Sequence, residues 1–477
     1  MKRRFVLLAL VAPLLLGTSL DAAETGERKT KRIFLMGSSL TDQVKPGNMA
    51  ALAASRGHEQ IWGKQTMPGA PIFVNWRGRD WRRGRKPFYN SGKALKEFEW
   101  DAVTLEPRQS YDKELEAAGQ FIDFARKKSP EVQFYVFAQW PRTRRGSYDT
   151  QWLEDSKDTH NNIRLGFEEF LKDLRKQYAD IPNPPLMVPA GHAMHLLELK
   201  IQAGLVPGMT SIYDGYSDGS HLNELGEYIV GCTFFATIFK ETPVGLPTEP
   251  YGEIPADQAA VIQETVWEAV NAHPLSGVKA DGDLKVITPW FPDAVVDAPF
   301  SRELQSAFGK GDVTWTLEEG ALPPGIAVDP VGLLKGTAGE EGDFTFTLKA
   351  TDAEGATALR KLKLSVVPES VPVIPEQALP EMRVGQYFTY QLKAEGGNGD
   401  ISWRILSTRL KDENHKKWWR GLKVKKMVLP GLTLSINGVI EGAPAQAGVY
   451  KSVFSATDAD PNDPDTAEHE MLITVGP

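Results

Sequence analysis

Residues 33–44 read "IFLMGSSLTDQV", an apolar run that ends in glycine, two serines and a threonine. A serine hydroxyl becomes a nucleophile only when a base takes its proton, and the base needs a third group to orient it. Ser39 is therefore interesting only if a histidine and a carboxylate can reach it. The chain has 8 histidines. His221, in "YDGYSDGSHLNELGEY", follows Asp218 by three residues in a Gly/Ser-rich turn just ahead of an amphipathic stretch. In a loop that turns back on itself, this spacing lets the carboxylate reach Nδ1 and leaves Nε2 facing a serine. Each stretch also has a plainer reading. The first could be a buried strand ending in a turn, the second an Asp and His that cap a helix. Residue types alone leave both open.

Positioning such groups requires a framework. From residue 30 to about 273, short runs of β-formers at 32–36, 60–65, 102–105, 133–139 and 186–189 alternate with helix-period stretches such as "YDKELEAAGQFIDFARKK". That alternation predicts right-handed crossovers and a three-layer α/β/α domain around a mostly parallel five-stranded sheet. Functional groups in such sheets gather at the carboxyl ends of the strands, where "SSLT" falls. "LGEYIVGCTFFATIFK" and "ADQAAVIQETVWEAVNAH" read as closing helices.

From about residue 286 the texture changes to strand alternation with turn residues, and it repeats. Gly325, Gly332, Gly336, Gly342 and Asp352 recur 106 positions later as Gly431, Gly438, Gly442, Gly448 and Asp458. Trp315 and Trp403 differ by only 88, so the second copy carries about 18 extra residues, among them "KDENHKKWWRGLKVKK". Each copy has the length of a small β-sandwich. The expected layout is a signal peptide over 1–23, an α/β domain over 30–273, a linker over 274–285, and all-β modules over 286–368 and 369–477.

"GSSLT" after the first strand and "DGSH" before the last helix of the α/β domain resemble the first and last blocks of the GDSL-type, or SGNH, hydrolases. The resemblance covers roughly residues 30–240 and implies a flavodoxin-like sheet. By that resemblance Ser39 is the nucleophile, His221 the base and Asp218 its orienting carboxylate. Ser38 stands where the GDSL pattern has aspartate. The resemblance also implies an oxyanion hole made by the amides of Ser39 and Gly69, in "QTMPGAPIFVNW", and by an asparagine side chain. No asparagine follows the third strand, where the chain reads "DAVTLEPRQS"; Gln109 is the nearest amide that could take its place. The β modules resemble immunoglobulin-like modules of large exported bacterial proteins, which serve as spacers or surface and carbohydrate binders.

The rest narrows the setting. "MKRRFVLLALVAPLLLGTSLDAA" has the order of a secretory signal and predicts a secreted or periplasmic protein. No later segment is long and apolar enough to span a membrane. A net charge of −8 argues against nucleic acid as partner, and a single cysteine, Cys232, excludes an intrachain disulfide. "GYSDG" around Ser217 matches a nucleophile-elbow pattern, which requires a preceding strand, a following helix and an Asp and His further along. It lies instead near the end of the α/β domain, with the remaining histidines mostly in the β repeats, so it reads as a chance match. His192 and His195 read as surface or packing residues, with no metal or cofactor expected. The acid-rich "DADPNDPDTAE" matches no calcium-loop spacing and reads as a polar hairpin. "RGRDWRRGRK" and "QWPRTRR" set aromatics among arginines beside the expected rim. Trp76, Trp81, Trp140 and Arg142 are therefore candidates to bind an anionic sugar. The expected activity is a serine esterase that removes acetyl groups from an acylated polysaccharide. The alternative is a catalytically silent carbohydrate-binding or adhesion protein.

Overall fold

Residues 29–79, 90–108, 111–142, 148–153, 164–279, 282–410, 427–458 and 464–477 are described by the computed structural model. The first apolar run forms β1 (Thr30–Gly37), in which Ile33, Phe34 and Leu35 have no exposed surface. A strand apolar on consecutive positions can be buried only if both its faces are covered. It is flanked by β2 (Glu59–Thr66) and β3 (Ala102–Leu105), followed outward by β4 (Gln133–Phe137) and β5 (Leu186–Val188). All neighbours pair in parallel, in the order β2-β1-β3-β4-β5. The three-layer arrangement expected from the alternation is present.

Nine helices are found among the described residues: α1 (Pro46–Ser55), α2 (Ile72–Arg77), α3 (Ser91–Glu97), α4 (Tyr111–Arg126), α5 (Tyr148–Trp152), α6 (Arg164–Gln177), α7 (Ala190–Gln202), α8 (Glu224–Phe239) and α9 (Ala256–Ala272). Helices α1, α7, α8 and α9 pack together, and so do α2, α3, α4 and α6. Helix α8 is apolar nearly all round and is buried from Gly226 to Phe239, as a helix wedged between a sheet and other helices must be. Each fully buried Phe or Leu side chain contributes about 1.5–3 kcal/mol.

The two β modules repeat one design. The first has the sheet Thr314–Gly320, Gly342–Thr351, Thr357–Val367, Ala294–Val295. The second has Ser402–Leu410, Gly448–Thr457, Thr466–Gly476, Met382–Arg383 in the same spatial order. The register found in the sequence has a packing cause. A side chain at Gly332 would collide with the Trp315 ring, and one at Gly438 with the Trp403 ring, each at 2.7 Å. Asp352 and Asp458 both accept backbone amides at the turn that follows the long strand.

The first module is seated on the α/β domain. Its Ile287 and Ala307 belong to the main core. Arg302 Nη2 lies 3.0 Å from Asp149 Oδ2 on α5, and Arg164 Nη1 on α6 lies 2.5 Å from Glu303 Oε2. Lys285 pairs with the buried Glu268 on α9, which also holds Lys200 at 2.7 Å. The signal segment, Trp81, Gln109 and "KDENHKKWWRGLKVKK" lie outside the described residues.

Candidate active site

At the carboxyl end of β1 the chain turns sharply through Ser38–Leu40 into a 3-10 turn, Thr41–Val44. From Gly37 to Thr41, only Ser39 is partly exposed. Burial of its neighbours thus presents one hydroxyl at the rim.

The second contribution comes from the loop ahead of α8. A 3-10 turn, Ile212–Gly215, opens it with a capping box on Ser211, and Tyr216 bridges antiparallel to Leu222. The amide of Ser217 donates to the carbonyl of His221 at 2.9 Å, so the loop does turn back on itself. Gln43 Oε1 accepts from the Leu222 amide at 2.8 Å and ties this loop to the serine turn. Asn223 caps α8 through the amides of Leu225 and Gly226. Capping therefore falls to Asn223, leaving Asp218 and His221 to each other.

The three predicted groups converge. Ser39 Oγ lies 2.9 Å from His221 Nε2, and His221 Nδ1 lies 2.8 Å from Asp218 Oδ2. Oδ1 of Asp218 accepts from the amides of Ser220 and His221 at 2.7 and 2.9 Å. Burial alone would push the Asp218 carboxyl up, but these amides and the imidazole outweigh it and hold it at about 2. The carboxylate therefore accepts the Nδ1 proton, and Nε2 keeps a lone pair toward the serine hydroxyl. His221 is 38% exposed at its side chain, open to a substrate.

Gly69 sits in the turn after β2 with φ +68°, a conformation that favours glycine. That turn is tied to the serine turn, because the amide of Met67 donates to the carbonyl of Gly37 at 3.0 Å.

The aromatic candidates are placed otherwise. Trp140 is fully buried and donates from Nε1 to the carbonyl of Ser220 at 2.9 Å. It holds the histidine loop from beneath and presents no ring to a sugar. Trp76 is spent on packing, edge-on to Phe121 and Phe124, with the Arg79 guanidinium 4.1 Å over its ring. Arg142 is partly buried beyond β4. Aromatics beside arginines look alike in sequence whether they face a ligand or a helix; here the described ones turn inward.

Ser217 follows a 3-10 turn, not a strand, so no elbow forms there. Of the surface and packing readings of His195 the second holds: it is 5% exposed, with Nε2 2.7 Å from Asp149. His192 Nε2 lies 3.2 Å from Glu168, and with His273 these groups bring ligand-type atoms within 4.8 Å of one another. Burial pushes both imidazoles below their ordinary value. The Leu275 amide donates to His273 Nδ1, and the Arg164 guanidinium stands 3.9 Å from Glu168, so hydrogen bonds and an ion pair knit this cluster.

One group at the site was not foreseen. Glu106, just past β3, is fully buried under the serine turn. A carboxylate two residues before an arginine gave no sequence signal of that position.

Residues 286–367 match the family model described as "Putative Ig domain", which makes the first β module immunoglobulin-like. No curated protein matches the chain. Among solved structures, a DUF4886 family protein from Bacteroides uniformis is similar over 50% of this chain and 93% of its own, at 16% identity and a TM-score of 0.37. The protocadherin GammaB4 extracellular domain is similar over 39% of this chain and 33% of its own, at 14% identity and a TM-score of 0.19.

Proposed function

We propose that the protein is an exported serine esterase of the SGNH type. The observation that carries this reading is the continuous chain Ser39 Oγ–His221 Nε2 at 2.9 Å and His221 Nδ1–Asp218 Oδ2 at 2.8 Å, on a partly exposed rim. Ser39 Oγ attacks the ester carbonyl carbon while its proton passes to His221 Nε2. Asp218 keeps the imidazole in the right tautomer and stabilises the imidazolium. The amides of Ser39 and Gly69 receive the developing oxyanion, joined by the Gln109 side chain. The tetrahedral intermediate collapses, the alcohol leaves with the proton from His221, and an acyl-Ser39 remains. Water, deprotonated by His221, then releases the carboxylic acid and regenerates the serine.

The substrate class we propose is an acetylated polysaccharide. It is supported by the signal-type N-terminus and the immunoglobulin-like module, while Trp76 and Trp140 no longer contribute to it. Hydrolysis of a chromogenic acetate ester by the wild type and by Ser39→Ala tests the reaction. The variant should fall by roughly three or more orders of magnitude; equal rates would leave the silent binding protein as the better reading. Acetate release from acetylated glycans tests the substrate class.

A further inference from the structure

The turn that presents Ser39 is built around a carboxylate from another strand. Glu106 Oε2 accepts from the Ser38 amide at 2.7 Å, the Thr41 amide at 3.0 Å and the Thr41 hydroxyl at 2.5 Å. Its Oε1 accepts from the Ser38 hydroxyl. Arg108 Nη1 and the Leu40 amide both donate to Ser38 Oγ, at 2.9 and 3.2 Å, so the Ser38 hydrogen is left for the carboxylate. Burial pushes the Glu106 carboxyl above its ordinary value, and the four donors and the Arg108 guanidinium, 3.9 Å away, offset only part of that cost. The approach is so close that a Cβ on Gly37 would meet Glu106 Oε2 at 2.2 Å and Thr41 Oγ1 at 2.1 Å.

The contacts fall on Ser38 and Thr41, on either side of Ser39 and Leu40. Both flanks of the nucleophile's turn are therefore pinned to one rigid group at the end of the adjacent strand. A misplacement of about 1 Å in a reacting atom can cost on the order of a hundredfold in rate. The GDSL pattern has an aspartate where this chain has Ser38, and here the carboxylate at that spot arrives from β3 instead.

We propose that Glu106 is a positioning residue, whose carboxylate sets the Ser38–Thr41 turn so that Ser39 Oγ meets His221, and that it replaces a carboxylate borne by the turn itself. This rests on the reading of Ser39 as nucleophile. The test compares wild type, Ser39→Ala, Glu106→Gln, Thr41→Val and the exchange Ser38→Asp/Glu106→Ser on an acetate ester, with folding checked by circular dichroism. Glu106→Gln should lower kcat about 10- to 100-fold with KM changed less than about threefold. The exchange, which returns a carboxylate to the turn, should recover about tenfold of that loss. Thr41→Val, which removes a single donor, should lower kcat by about threefold or more. A folded Glu106→Gln with wild-type kcat overturns the proposal, as does an exchange no better than Glu106→Gln. Should Glu106→Gln not fold, Thr41→Val at wild-type kcat overturns it. A wild type no faster than Ser39→Ala would instead sink the esterase reading itself, and this inference with it.

Discussion

The convergence of Ser39, Asp218 and His221 was legible through the pairing of "GSSLT" after the first strand with "DGSH" before the last helix, since residue types alone left a plain turn and a helix cap open. A D-x-x-H loop before a helix leaves few ways to satisfy both side chains, and the capping role it might have had goes to Asn223. Glu106 was not legible, since its meaning lies in bonds to residues 65 and 68 positions away. Trp140 was misread for the same reason: its partner, Ser220, is 80 positions on. Asp218→Asn keeps the shape of the loop but reverses the donor facing Nδ1, so it should lower kcat by roughly three to four orders of magnitude in an ester assay. Its carboxyl is held at about 2 against an ordinary 3.8, so the ionised form is favoured in the folded state. That stabilising contribution is complete above pH 3.8 and is lost as pH falls toward about 2, so acid unfolding of Asp218→Asn should lack this component.

At the scale of elements, strand–helix alternation predicted the sheet because a parallel sheet buries both faces and so writes continuous apolar runs. What it could not supply was the exact joint between β1, β2 and β3 at the rim. That joint depends on small spaces. Gly37 gives up a side chain to let Glu106 approach, and the Met67 amide closes on its carbonyl. Gly37→Ala should therefore either lower Tm by several degrees or, if the turn shifts to relieve the clash, separate Ser39 from His221. Thermal melts paired with kcat measure the two outcomes, and an unchanged value for both would contradict the packing described.

For the whole molecule, the repeat of 106 residues was visible because turn glycines and the Trp–glycine contacts recur in register. The seating of the first module was not, since Arg302–Asp149 and Arg164–Glu303 join residues 139 or more positions apart by charge alone. The first module lends Ile287 and Ala307 to the core of the α/β domain. A chain ending at 285 should melt well below the full chain, because it loses two buried residues and two ion pairs, Arg302–Asp149 and Arg164–Glu303. A chain ending at 368 should keep its ester hydrolysis within about threefold. Equal stability of the shorter truncation would show the first module to be a mere appendage.

The most direct test of the central claim is covalent capture of the nucleophile. The protein would be treated with a serine-directed fluorophosphonate and the adduct located by peptide mass spectrometry. One phosphonyl group on Ser39, formed far more slowly in His221→Ala, is the expected result. No adduct, or one on Ser217 in place of Ser39, would contradict it.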